Sequence, residues 1–368
     1  MIYFAATSYV SGVLYARFIS SRILSNYVHM HGNNMPHSVD LGLLLSPLFE
    51  IAATAYGRGC IATSDIPSGT TLLECAAPLG ACVIRPFRKE VCQRCYEYND
   101  GKTLKFRIEN KKGSIYFCSE ACRASFEEED NEGILRACLF DLEHWYRSNS
   151  CEDDYDDGGK GVETAWKDVE FWEQELLKLK RKSDMVPKIT ETDYSDLIYI
   201  LDVMFSQYKG TNQLELSLFA QLQTNEQDKV AKYPYLLSSY TRMYKYLKLT
   251  CGPQLQPFIT IDNIRKIIGT SLTNAFGIWS STAPGEDKEY FGCALYPSAS
   301  FFNHSCSANV SRIRHGRLVT FVTSQPVPRG EELCIQYGNH TTEDYQTRQK
   351  DLREWFFECG CKKCEMKK

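Results

Sequence analysis

The chain has 368 residues, 43% of them hydrophobic and 24% charged, with a net charge of -4 at neutral pH. That length and apolar content support the packed core of one large domain or two to three smaller ones. The acidic balance excludes a general nucleic-acid binder, whose affinity rests on clustered Lys and Arg, and no apolar run approaches the roughly 18 residues of a membrane span.

Residues 1–34 carry Arg17 and Arg22, many Ser and Tyr, and no acidic residue before Asp40, a composition like that of a mitochondrial presequence. The competing reading takes Met35 as the true start, with the upstream stretch a disordered or artefactual extension. From Leu43 to Ile84 short apolar runs alternate with turn residues, as in Pro47 to Ile51, Tyr56-Gly57-Arg58-Gly59-Cys60-Ile61-Ala62 and Asp65 to Thr70, which predicts short strands joined by tight turns. A cysteine-rich insert follows from Cys92 to about Phe126. Between Arg85 and Arg123 ten Lys or Arg stand against five Asp or Glu, either a docking surface for an acidic partner or nucleic acid, or a solvated face. Residues 127–163 are strongly acidic, and the run around Asp153 to Asp157 reads as a solvated loop.

Helical spacing dominates from about Glu132 to Phe276. Apolar residues recur at intervals of three and four in Ile134/Leu135/Cys138/Leu142/Trp145, Trp166/Val169/Trp172/Leu176/Leu179, Leu197/Leu201/Met204/Phe205 and Ile264/Ile267/Ile268/Leu272. These stripes are core-facing. Strand character returns between Tyr290 and Tyr337, notably in Arg317 to Val322 and Glu332 to Ile335.

Of the sixteen cysteines, eight fall in tight clusters, Cys92/Cys95, Cys118/Cys122 and Cys306/Cys359/Cys361/Cys364. Clustered thiolates suit Zn²⁺, and without a secretory signal zinc is a better account than disulfides. The Cys359-x-Cys361-x-x-Cys364 tail supplies three ligands where a closed site needs four. Cys306 is the candidate fourth, because Asn303 to Asn309 is too polar for mere core. The other eight cysteines read as small buried hydrophobes.

LYPSASFFNHSCSANV, GEELCIQYG and FECGCKKC, in that order, resemble the core and post-SET segments of SET-domain methyltransferases, and in particular the SET and MYND (SMYD) family. Tyr56 to Gly59 is similar to that family's N-terminal glycine turn, and Cys92 to Cys122 lies where the family inserts its MYND zinc module. The resemblance implies an α+β fold of small sheets, split by a zinc-binding MYND-like insert and a helical region and closed by a post-SET zinc site. Its segments would be an N-terminal extension (1–42), an N-terminal SET segment (43–90), a reduced MYND-like module (91–126), an acidic loop and helical insertion (127–275), a core SET segment (276–338) and a post-SET segment (339–368).

The activity so implied is methyl transfer from S-adenosyl-L-methionine to a protein lysine, histone or not. Gly57, Arg58, Gly59, Asn303, His304 and Phe357 would contact the cofactor, with Arg58 beside its methionine part and Phe357 on its adenine. Tyr337 would be the catalytic tyrosine, also touching cofactor, and Asn274, Phe276, Tyr290 and Phe291 would line the lysine channel or simply pack the core. A complete MYND module has four ligand pairs serving two zinc ions. Here Cys92/Cys95 match the first pair and Cys118/Cys122 the third, the second pair is missing, and Asp130 and Ile134 stand where the last His and Cys would fall. The expectation is one zinc in the insert and one in the tail.

Ending at Lys368, the sequence resembles short members without the helical C-terminal domain of larger animal proteins. The further expectations are a monomer in the nucleus or cytoplasm, a protein substrate, and a protein partner for the insert. The competing readings are an inactive SET/MYND scaffold and a zinc-finger transcription factor, the latter opposed by the lack of tandem helix-bearing fingers.

Overall fold

The computed structural model describes residues 45–55, 57–153, 159–280, 289–338 and 344–367. The N-terminal extension (1–42), Tyr56 and most of the second acidic run (154–158) lie outside the described residues. In chain order the elements are β1 (Phe49–Thr54), β2 (Gly57–Ala62), β3 (Thr71–Cys75), β4 (Gly80–Val83), β5 (Phe106–Glu109), β6 (Ser114–Phe117), α1 (Glu120–Glu129) and α2 (Ile134–Asn149). The helical stretch continues with α3 (Val162–Lys178), α4 (Glu191–Lys209), α5 (Gln213–Gln221), α6 (Glu226–Lys232), α7 (Leu236–Thr250) and α8 (Ile261–Asn274). Strands return as β7 (Phe276–Trp279), β8 (Tyr290–Leu295), β9 (Asn303–His304), β10 (Val310–His315), β11 (Leu318–Thr323) and β12 (Glu332–Ile335), before the tail helices α9 (Tyr345–Leu352) and α10 (Lys362–Glu365). This is an α+β fold of small sheets. No helix among the described residues is long and apolar enough to cross a membrane.

Two units divide the chain. One comprises the residues up to Glu74, Phe301–Ile313 and Thr320 onward, and the other Cys75–Ser300 with Arg314–Val319. In the first, a four-stranded sheet runs β1-β2-β12-β9. The β1–β2 pair is an antiparallel hairpin with Ala52 opposite Gly59, and β12 lies antiparallel to β2 with Leu333 opposite Cys60. The two-residue β9 runs parallel to β12, Asn303 opposite Cys334 and His304 opposite Ile335. A parallel pair requires a crossover, here the stretch containing β10 and β11. Phe302 is fully buried between the rings of Phe49 and Phe321, at centroid distances of 5.5 and 4.9 Å. That packing anchors the segment leading into β9.

The second unit is built on α4. Thr190 and Asp193 form a capping box at its start, each side chain bonded to the other's N–H. The fully buried Asp193 carboxylate also accepts from Arg242 at 2.6 Å, which ties α4 to α7. Leu197, Leu201, Met204 and Phe205 are buried as the stripe predicted. Asp202, on the same helix, accepts from the Ala81 N–H of β4 at 2.8 Å. The α3 stripe ends earlier than its spacing suggested, since Leu179 is the C-cap residue and is 41% exposed. All sixteen cysteines are free thiols. Of the eight outside the clusters, Cys60, Cys75, Cys82 and Cys334 are buried, and the others are partly so.

One core cation stands out. Lys229 of α6 is 1% exposed and donates from Nζ to the Gly269 carbonyl of α8. Burial lowers its pKa to about 7, against the opposing pull of Glu226. Because the folded-state value lies below the unfolded one, stability is greatest above the unfolded pKa near 10.4 and is lost as pH falls toward 7. Lys229→Met is therefore expected to raise unfolding free energy at pH 7 by about 1–3 kcal/mol, and by less at pH 9.5. Urea denaturation at the two pH values measures this, and an equal effect at both would contradict it.

Candidate functional site

Gly57 opens β2 with φ +109°, a backbone conformation that only glycine adopts without strain. Gly59 is glycine for a different reason. A Cβ there would stand 2.4 Å from Glu332 Oε1, 2.7 Å from Asn303 Nδ2 and 2.9 Å from Thr54 Cγ2. The close approach at this position is to side chains of the protein itself. Into that space Asn303 donates from Nδ2 to Glu332 Oε1 at 2.7 Å and to the Arg58 carbonyl at 3.1 Å. Arg58 lies over the Phe301 ring, 5.2 Å from its centroid. Asn303 therefore staples the glycine turn to β9 and β12.

Tyr337 follows β12 and is held at both ends by the same short segment. Its N–H donates to His304 Nδ1 at 3.1 Å, and its hydroxyl donates to the Phe302 carbonyl at 3.1 Å. The other ring nitrogen of His304, Nε2, lies 3.4 Å from Cys306 Sγ. With protein partners at both nitrogens, the imidazole is engaged within the fold. Burial first, then the Cys334 and Cys60 thiols and the Glu332 carboxylate, push the Tyr337 phenol above its ordinary value, so it stays protonated at neutral pH. Phe357 packs edge-on to Tyr337 at 5.9 Å and lies 5.9 Å from His304, and Trp355 lies 6.4 Å from Tyr337. The structure thus brings Gly57, Arg58, Gly59, Asn303, His304, Tyr337 and Phe357 together in the first unit.

The tail quartet fits zinc. Four thiolates about 2.3 Å from one ion sit about 3.8 Å apart, and Cys306 Sγ lies 3.8 Å from Cys359 Sγ and 3.5 Å from Cys364 Sγ. All four ligand atoms fall within 4.8 Å of one another. Burial raises Cys306 and brings Cys359 to about 11. Burial works against the Cys361 thiolate too, but the Cys364 N–H and the Cys359 thiol hold Cys361 at about 6. The knuckle is clamped from α9, where Gln349 donates to the Cys359 carbonyl at 2.6 Å and accepts from its N–H at 3.1 Å. Arg348, fully buried, places Nη2 3.9 Å from Cys364 Sγ, a cation beside what becomes a doubly negative centre when zinc is bound. Phe356 turns the chain through φ +62° just before Phe357.

The insert holds the second quartet, with Cys95 Sγ to Cys118 Sγ 3.4 Å and Cys118 Sγ to Cys122 Sγ 3.6 Å. Ser119 N-caps α1 by accepting from the Cys122 N–H at 3.1 Å, which sets two ligands on one turn. The Cys95 thiol lowers Cys92 to about 5, while burial brings Cys118 to about 11. At the position of the missing second site, Asp130 is 1% exposed and accepts from the N–H groups of Leu135 (3.0 Å) and Arg136 (2.9 Å), so it caps α2. Ile134 is buried, and Phe117 packs on Phe126 at 5.3 Å. A helix cap and apolar packing occupy the place of a metal.

Six of the ten cations between Arg85 and Arg123 form ion pairs within the unit: Arg85 and Arg88 with Glu143, Arg94 with Glu129, Arg107 with Glu109, Lys112 with Asp141 and Arg123 with Glu120. That pairing leaves a largely neutralised surface. The four candidate channel residues belong to the second unit. Phe291 is fully buried against Phe87 and Tyr98, and Phe276 packs edge-on to Tyr296. Tyr290 packs on Trp279, and Asn274 donates to the Gln223 and Thr270 carbonyls. Packing accounts for Phe291 in full. Sequence reasoning missed Glu332, Asn309, Arg348, Gln349 and Trp355. Asn309 accepts from Cys334 N–H at 2.8 Å and donates to the Glu332 carbonyl at 2.9 Å, bracing β12. Glu332 and Asn309 were visible within the quoted motifs, whereas no local pattern marks the two α9 residues.

The family model described as the SET domain matches residues 57–338. Potential protein lysine methyltransferase SET6 of Saccharomyces cerevisiae is 28% identical over 87% of this chain and 96% of its own length. A SET and MYND domain-containing protein of Dictyostelium discoideum is 35% identical over 28% of this chain and 25% of its own length. N-lysine methyltransferase SMYD2 of Gallus gallus is 31% identical over 29% and 24% respectively. The chain thus spans nearly all of the yeast relative but only about a quarter of the other two. Among solved structures, the SET domain of LSMT bound to lysine and AdoHcy aligns with 85% of this chain and 52% of its own, at 13% identity and a TM-score of 0.34.

Metal analysis of the purified chain is expected to return two zinc ions, with one remaining after Cys118→Ser and one after Cys306→Ser. Two ions retained in either variant would show that the quartet concerned does not bind as a unit.

Proposed function

Because the chain belongs to the SET-domain family, we propose that it transfers a methyl group from S-adenosylmethionine to the side-chain amine of a protein lysine. The observation that carries this reading is the double anchoring of Tyr337 by Phe302 and His304 beside the Asn303-stapled glycine turn. S-adenosylmethionine, when bound, supplies an electrophilic methyl on a positively charged sulfur. The groups proposed to bind it are the Gly57–Gly59 turn, Arg58, Asn303 and, for its adenine, the ring of Phe357, which packs against the tail cluster.

The Tyr337 hydroxyl has its hydrogen committed to the Phe302 carbonyl, so its lone pairs are available to accept from a lysine N–H and aim the amine. With its phenol pushed upward, Tyr337 is not a base at neutral pH. A free lysine titrates near 10.4. Enclosure and a neighbouring positive charge disfavour the ammonium form, so the proton leaves to solvent without a strong protein base. Sixteen free thiols, half of them in metal-type quartets, suit a reducing compartment, nucleus or cytoplasm.

Incubation with methyl-labelled cofactor, once with histones and once with a histone-depleted extract, tests the activity and sorts the substrate class. Tyr337→Phe should lower labelling on the order of a hundredfold while cofactor affinity stays within about threefold. Labelling untouched by that change sinks the role given to Tyr337. If the wild type neither labels any protein nor gains thermal stability from cofactor, the inactive scaffold is the better reading.

A further inference from the structure

Resting on the reading of Tyr337 as the residue at the transfer point, the geometry points to the His304 side chain as a positioning residue that couples the tail metal centre to Tyr337. The argument starts from hydrogen-bond polarity. Nδ1 faces the Tyr337 main-chain N–H at 3.1 Å, and a main-chain N–H can only donate. Nδ1 is therefore the acceptor, and the ring proton of the neutral imidazole sits on Nε2. Nε2 in turn faces Cys306 Sγ at 3.4 Å, so the contact is an N–H donated to a sulfur that becomes a thiolate on binding zinc. His304 is buried, 7% exposed, which keeps water from competing readily for either partner.

The position in the sheet explains why a side chain is needed here. The parallel pairing of β9 with β12 closes with the Ser305 N–H donating to the Ile335 carbonyl at 3.0 Å. Two residues further on, the Tyr337 N–H has passed the end of the ladder, and His304 supplies the acceptor that the backbone no longer offers. The tyrosine main chain is thereby set by a ring whose other edge is set by Cys306. Loss of metal should then disturb the transfer step itself, beyond any effect on cofactor binding through Phe357.

Two amide substitutions separate the two edges of the ring. In His304→Asn the shorter side chain can place its oxygen near Nδ1 and still accept from Tyr337, but it does not reach Cys306. In His304→Gln the longer one can place its nitrogen near Nε2 and still donate to Cys306, but the acceptor for Tyr337 is gone. His304→Asn should release tail zinc to a chromophoric chelator about 10-fold to 100-fold faster than wild type, while His304→Gln stays within a few fold. Amide exchange of the Tyr337 N–H should be faster in His304→Gln than in His304→Asn. In turnover, His304→Gln should show a kcat about tenfold below that of His304→Asn, with little change in KM for S-adenosylmethionine.

Equal kcat and equal amide exchange in the two variants, or a change confined to KM, would overturn the coupling. If His304→Gln does not fold, unaltered zinc release from His304→Asn overturns it alone. Should the wild type transfer no methyl group, the functional reading falls, while zinc release and amide exchange still decide the inference.

Discussion

Cys306 must share one tetrahedron with Cys359, Cys361 and Cys364, and that demand sets the path of the tail. From it follow the placement of Phe357 and Trp355 against Tyr337 and the burial of Arg348 beside the sulfurs. The tail packs through a small cluster of Cys306, Leu352, Cys359 and Cys364, with Tyr345, Trp355 and Phe357 partly buried against it. A metal with four thiolates adds free energy to that packing and makes it conditional on the ion. Gln349 then removes the slack, since its amide matches both main-chain groups of Cys359.

Five consecutive residues, 302 to 306, carry most of the interactions that define the site. Phe302 is locked between two aromatic rings and lends its carbonyl to the Tyr337 hydroxyl. Asn303 staples the glycine turn, His304 meets Tyr337 and Cys306, Ser305 extends the parallel ladder, and Cys306 carries the metal. Successive side chains on an extended segment point to opposite faces. A two-residue strand can therefore serve the turn on one side and the tyrosine and metal on the other.

What could be read in the sequence follows the range of the interaction. The stripes over α2, α4 and α8 and the run Glu332 to Ile335 were legible because helix and strand periods are local. Both cysteine quartets were legible because ligand spacing is stereotyped. The second role of His304 was not, since nothing in Asn303-His304-Ser305-Cys306 says that the chain will return at Tyr337 within reach of Nδ1. Arg348 and Gln349 look like ordinary polar residues on a short helix until the knuckle folds over them. Asp130 was legible as a departure from a metal-binding pattern, but its replacement duty as a cap depends on where α2 begins.

The crowding around Gly59 has a consequence for how this site can change over time. The turn, Asn303 and Glu332 come from three widely separated stretches of chain, yet a single methyl group at residue 59 would strike atoms of two of the three. A side chain at position 59 would need Asn303, Glu332 and Thr54 all to give way, and movement of the first two parts the staple that holds the turn, so the size of residue 59 is bound to the geometry of three other positions.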